Sequence, residues 1–508
     1  MRNEDSTFGR FAPLGQRMRN EKWILIILLL FVSLTTAADN TVSPRGCRRS
    51  FLPQPTRAAH RAQGAPKQVG GNYYVGEHHQ LTVLVSFSDQ QFLQENPKPV
   101  WERILNEPNY TEGSFHGSVH DYFYAQSNGV FNLTFDQQYV DLDQARHKYR
   151  STATDDENSK YLVNDLVDTL LKRNIDWSLY DWNGDGYINQ LLIIFAGKGS
   201  SYGGFGGGYD AIWSHQLWLS AHEGTPPREV TSGDKTYYVD CYCAVQELDS
   251  SGKYGTFGTL CHEYTHCFGF PDFYGDDTMK TPGQWDLMDF GNYNSNGFCP
   301  AGYSAHERMM MGWLTPTPLS TTQTVSSMAA NDAYIIYNDA HPDEYYMVEN
   351  RQKTGWDSYL PGSGLVVFHV DYNENTWLSL NEWVNTSSQL CYHIFPANYQ
   401  PEYSKYNTNN TRGWAYPYSA NDSLTNNSKP AATLNNQNTD GTYFMSKSLR
   451  DISVTGGLAS FRFTVDGTTG IDDIIDRKPT GPSKVLYQMG PVLIVREQDG
   501  TIRKIMKR

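Results

Sequence analysis

Residues 259–275, TLCHEYTHCFGFPDFYG, constrain this chain more than any other stretch. His262 and His266 are four positions apart, so a helix sets both imidazoles on one face. Neutral imidazole is a good zinc ligand, and Glu263 beside the first histidine can lean toward the same point without binding there. Gly269 tolerates the positive φ that stops a helix, and Pro271 cannot extend one. The chain then folds back. Asp272 stands ten residues after His262, where the HExxHxxGxxH pattern has its third histidine. A carboxylate binds zinc at about 2.0–2.2 Å, and three protein ligands leave a position for water. The rival third ligand is Glu307, on an expected helix at 304–313 (SAHERMMMGW); Gly269 favours Asp272. The bland alternative is a surface helix with two incidental histidines, which Gly269 and Asp272 at these offsets argue against.

A chain of 508 residues exceeds one compact core, and about 150 residues per domain suggests two or three. The net charge of −14 argues against nucleic acid as a partner, since phosphate neutralisation needs a basic face. Arg17, Arg19 and Lys22 precede the apolar run WILIILLLFVSL and then TTAAD. This is the pattern of a signal peptide over residues 1–38, cleaved after Ala38, with Met18 a sufficient start. The run is too short for a comfortable membrane span, so no stable span is expected once the signal is removed. Residues 39–75 read as a disordered or pro-segment stretch. Cys47 within it is either an unremarkable linker thiol or a cap for the metal before activation. The seven cysteines leave the pairing open between buried thiols and one or two bridges.

From Leu81, LTVLVSF reads as a buried strand, GSVHDYFYAQSNG as a helix ending in a turn, and FNLTFDQQYV as a strand. LVNDLVDTLL has helical spacing, and QLLIIFAG is a further buried strand. Strands thus alternate with helices, and the Gly-rich stretch at 200–208 lacks the context of a phosphate cradle. After Thr315 and Pro316 helical patterns fade, and AYIIYN, YYMVENR, GLVVFHVDY and GLASFRFTV read as strands. The expected class is α+β, with a metalloprotease-type α/β domain at 76–315 and a sandwich-like β-rich domain at 316–466. A linker and a tail of short hairpin strands follow at 467–508.

A second cation site is suggested by YDWNGDGYIN. Asp181, Asn183 and Asp185 alternate, followed by Gly186 and Asn189, like the first half of a calcium loop. The twelfth position is Leu192 rather than Glu, so the alternative is a polar Asx-turn loop. Calcium there would be structural. Tyr293 and Tyr303 are candidates to bond an oxyanion, and His215 to wall the site; an ordinary structural role is the competing reading for each.

HEYTHCFGFPDFY together with QWDLMDFGN resembles the immune inhibitor A family of secreted, metzincin-like zinc peptidases. The stretches GSVHDYF, YDWNGDGYINQLLIIFAGKG, SAHERMMMGWLTP, YYMVENRQ and YLPGSGLVVFHVD fit as well, so the resemblance runs from Leu81 to Asp371. It implies an endopeptidase with a two-histidine, one-aspartate site at His262, His266 and Asp272, with Glu263 as base. It also implies that Met288 lies in a Met-turn beneath the metal, and it favours calcium at the Asp/Asn loop. The expected activity is zinc-dependent hydrolysis of protein or peptide substrates outside a bacterial cell or at its surface. Two alternatives are a catalytically inactive surface adhesion protein that keeps the fold, and a zinc hydrolase of other substrates.

Overall fold

Eight consecutive buried residues close β1 (Gly76–Phe87), and β1 forms the spine of the first sheet. Helix α1 (Lys98–Asn106) and helix α2 (Val119–Gln126) follow, then β2 (Phe131–Leu142), α3 (Ser159–Leu170) and β3 (Leu191–Lys198). The strands β4 (His215–Trp218), β5 (Arg228–Ser232), β6 (Lys235–Val239) and β7 (Cys241–Leu248) come next. The sheet runs β2-β1-β3-β7-β4, with every pair parallel except the antiparallel edge strand β4. β7 is buried at every position and β3 at all but its last, as parallel strands covered on both faces require. Ser118 starts α2 with a reciprocal capping box to Asp121, which supplies the helix start expected there. β5 and β6 form a separate hairpin.

The computed structural model describes residues 70–71, 73–150, 158–200, 211–275, 281–378, 384–386, 389–400 and 411–466, and the backbone of three strands between 484 and 506. The expected signal peptide, Cys47 with most of the 39–75 stretch, nearly all of the Gly-rich loop and most of the linker lie outside these residues.

Helix α4 (Phe257–His266) carries the two histidines, and α5 (Ala305–Met310) follows. Beyond it come β8 (Thr317–Pro318), β9 (Gln323–Met328), β10 (Ala333–Tyr337), β11 (Glu344–Arg351), β12 (Gly364–Asp371), β13 (Tyr392–Ile394), β14 (Lys447–Thr455) and β15 (Leu458–Val465). A second sheet has the order β13-β12-β11-β10-β8, and a third β14-β15-β9. Side-chain alternation along β11 and β12 explains why both read as unbroken apolar runs. Tyr345, Met347, Val366, Phe368 and Val370 join the same core as the first sheet. Tyr346, Val348, Leu365 and Val367 point the other way, into a second core closed by Val325, Leu449, Phe461 and Phe463 of the third sheet. The second sheet is thus shared by two cores, and the compact unit Ser43–Arg508 is not divided at residue 315. The last strands, β16 (Lys484–Met489), β17 (Val492–Arg496) and β18 (Ile502–Met506), form an antiparallel meander, in line with the hairpins read from the tail. No helix among the described residues is long and apolar enough to cross a membrane.

Candidate metal centre

A helix buried on all sides is normally apolar. All ten residues of α4 are buried, and they include two histidines, a glutamate and two threonines. Each buried polar group left without a partner costs about 1–3 kcal/mol, so its surroundings must answer for it. Tyr264 O–H donates to Gln80 Oε1 (2.6 Å), and Gln190 Nε2 donates to the Tyr264 oxygen (2.7 Å). These bonds pin the helix to β1 and to the residue before β3. Thr265 Oγ1 donates to the Cys261 carbonyl (2.8 Å) and lies 2.5 Å from the Tyr303 hydroxyl. Gly258 lets the helix seat directly on the turn at Phe290–Gly297, because a Cβ there would collide with the Asn292 carbonyl.

The helix ends as its sequence requires. Gly269 takes a φ of +94° and donates its N–H to the His266 carbonyl (2.9 Å). The reversed chain brings Asp272 Oδ1 to 3.1 Å from His262 Nε2 and 3.2 Å from His266 Nε2. The three donor atoms lie within 4.8 Å of one another and can hold a metal ion. His262 Nε2 and Asp272 Oδ1 face each other without hydrogen-bond geometry between them.

Two backbone carbonyls set the orientation of the rings. His262 Nδ1 lies 2.9 Å from the Leu287 carbonyl, and His266 Nδ1 lies 2.7 Å from the Phe270 carbonyl. A carbonyl only accepts, so Nδ1 carries the proton, and a neutral ring presents the Nε2 lone pair to the common point. Burial by itself would raise the Asp272 carboxyl, but the two imidazoles opposite outweigh it and hold the group well below the usual carboxylate range. Burial likewise works against charge on His262, yet Asp272, with a smaller contribution from Glu263, raises it above its ordinary value. Glu263 is buried on the same helix.

Met288 is fully buried, in a turn that touches the centre through its backbone. The Leu287 carbonyl accepts from His262, and the Met288 carbonyl accepts the N–H of Phe273, the residue after Asp272 (2.9 Å). The Leu287 and Phe270 carbonyls were beyond sequence reasoning, since a carbonyl carries no residue signal.

Glu307 is outside the donor cluster. Its carboxylate caps α5 instead, accepting from the Ser304 N–H (2.6 Å). Tyr303 is buried against Thr265, and Tyr293 is half-buried with its ring 6.0 Å from that of Phe290. His215 lies in a buried network, with Nδ1 at the Trp213 carbonyl (2.8 Å) and Nε2 at the Tyr242 hydroxyl (3.2 Å).

The loop at 181–189 is built differently. Asp181 Oδ1 accepts the N–H groups of Gly184 (2.9 Å) and Asp185 (3.1 Å), and Oδ2 accepts that of Gly186 (3.0 Å). Asp185 Oδ1 accepts from Tyr187 (2.9 Å), Asn183 Nδ2 donates to Asp185 Oδ2 (3.0 Å), and Asn189 Oδ1 accepts from Trp182 (2.7 Å). The oxygens that the sequence offers to calcium thus also accept bonds within the loop's own turn. None of the six cysteines among the described residues is in a disulfide.

Residues 76–312 match the family model described as immune inhibitor A peptidase M6, catalytic domain. The chain is also similar to the protein named immune inhibitor A of Bacillus thuringiensis subsp. alesti, at 27% identity over 285 residues. That match covers 48% of this chain and 40% of the relative, so this chain spans less than half of the relative's length. The segment that resembles this peptidase family contains the α4 helix, its glycine turn and Asp272.

Proposed function

We propose that this chain is a zinc-dependent endopeptidase in which His262, His266 and Asp272 hold the metal and Glu263 is the general base. The observation that carries this reading is the convergence of three donor atoms whose rings are fixed from behind by carbonyls. Two imidazoles and a carboxylate are a donor set suited to zinc. Bonds of about 2.0–2.1 Å at tetrahedral angles place ligand atoms about 3.3 Å apart. The separations of 3.1 and 3.2 Å fit that requirement.

Zinc, when bound, polarises a peptide carbonyl and lowers the pKa of a water toward about 7. His262 and His266 fix the site, because their Nδ1 protons are committed to the Leu287 and Phe270 carbonyls. Asp272 offsets the charge of the cation. Glu263 accepts the proton of the attacking water at its carboxylate and delivers it to the departing amine nitrogen, a role worth about 10²- to 10⁴-fold in rate. The match of residues 76–312 to a peptidase family model supports protein substrates, and the basic-then-apolar stretch before Ala38 supports action outside the cytoplasm.

The test is casein hydrolysis by the purified chain, with and without a chelator and after zinc is returned. The proposal expects loss on chelation and recovery with zinc. Undiminished hydrolysis in chelator, or by Glu263→Gln, would refute it. Glycan or protein binding without proteolysis would favour the inactive adhesion reading instead.

A further inference from the structure

Part of the environment of Phe273, the residue after Asp272, is supplied from outside the matched catalytic segment. Its carbonyl accepts from Asn385 Nδ2 (2.7 Å), and its ring stacks on that of Tyr392 at 4.0 Å and 27°. Its N–H is held by the Met288 carbonyl (2.9 Å). The backbone on one side of Asp272 therefore has little freedom, and two of its three restraints come from residues far downstream.

Tyr392 reaches the metal centre by a second route. Its hydroxyl donates to Asp286 Oδ2 (2.9 Å) and lies 2.8 Å from Ser304 Oγ. The other Asp286 oxygen accepts the Met288 N–H (2.8 Å), which shapes the turn whose Leu287 carbonyl orients His262. Asn385 in turn fixes Tyr392. Asn385 Oδ1 accepts the Tyr392 N–H (2.9 Å), and Asn385 Nδ2 donates to the Tyr392 carbonyl (2.8 Å). Phe273, Asp286, Met288, Asn385 and Tyr392 are all fully buried, so no water competes for these bonds.

We propose that Tyr392 and Asn385 are positioning residues for the metal centre, bracing both the turn behind His262 and the chain beside Asp272. This rests on the reading of those side chains as zinc ligands. The metal site is then completed by the downstream β region, and residues 76–312 alone lack part of its support. Groups behind metal ligands typically account for about 10- to 100-fold in metal affinity.

The experiment compares zinc release from the full-length chain to a chromogenic chelator, well below the melting temperature, for the parent, Tyr392→Phe, Asn385→Ala and Tyr346→Phe. Tyr346 is the control: it is a buried tyrosine whose hydroxyl donates to the Thr433 carbonyl (2.7 Å) in the second core. Tyr392→Phe keeps the ring on Phe273 and removes only the hydroxyl, so it addresses the question even if Asn385→Ala does not fold. The expected result is about tenfold faster release from Tyr392→Phe, and a lower kcat with KM for a casein peptide unchanged within twofold. Tyr346→Phe should release zinc at the parent rate. Equal release from Tyr392→Phe and Tyr346→Phe would overturn the positioning role alone. A parent chain that holds no zinc would overturn the metal reading, and this proposal with it.

Discussion

Two stretches of this chain have the residue types of a cation site, and they solve the problem of placing oxygen and nitrogen donors in opposite ways. At 181–189 the oxygens of Asp181, Asn183, Asp185 and Asn189 accept from amides of the same loop, whose tip at 183–185 is exposed to water. At His262, His266 and Asp272 the donors meet inside the protein, and the groups that aim them come from Leu287, Phe270 and, at one remove, Tyr392. At the buried centre the Nδ1 side of each ring is held by a backbone carbonyl, which leaves both Nε2 atoms and the Asp272 carboxylate facing one point. Residue type alone does not separate the two; what separates them is where each donor's other bonds go.

The comparison can be broken most sharply at the ligands. His262→Ala or Asp272→Ala should abolish both zinc retention after dialysis and casein hydrolysis. Zinc retained by Asp272→Ala would place the third ligand elsewhere. Glu263→Gln should keep its zinc and lose about 10²- to 10⁴-fold in kcat; loss of the metal as well would make Glu263 a ligand rather than a base. Chelation should lower the melting temperature by several degrees, since a ligand at a thousandfold its Kd adds about 4 kcal/mol. The smallest effect belongs to the loop. Asp181→Ala should cost about 0.5–1.5 kcal/mol of stability through lost turn bonds, equally in calcium and in chelator. A melting temperature that calcium raises in the parent but not in Asp181→Ala would erase the distinction and restore calcium to that loop.

Local chemistry made much of this legible in the sequence. The four-residue spacing of His262 and His266, the glycine at 269 and the aspartate at 272 fix a helix, a stop and a return, and the chain follows that path. The buried strands β1 and β3 announced themselves as apolar runs. The boundary at 315 was drawn from a change in composition, and composition does not reveal that β11 and β12 feed alternate side chains into two cores. The runs YYMVENR and GLVVFHVDY read as buried strands without saying against what. Likewise Tyr392 and Asn385 are unremarkable as letters in a Tyr- and Asn-rich stretch. Their importance comes from tertiary contacts across more than 100 positions, such as Asn385 to Phe273 and Tyr392 to Asp286. Glu307 illustrates the converse, a carboxylate on a helix whose Oε2 serves that helix's own cap.

The most direct test of the account is a crystal structure of the zinc-loaded full-length chain, with the metal located by anomalous scattering at the zinc edge. The account predicts one ion bound by His262 Nε2, His266 Nε2 and an Asp272 carboxylate oxygen, at about 2.0–2.2 Å from each. An ion held by Glu307 in place of Asp272, or no ion between the two imidazoles, would contradict it.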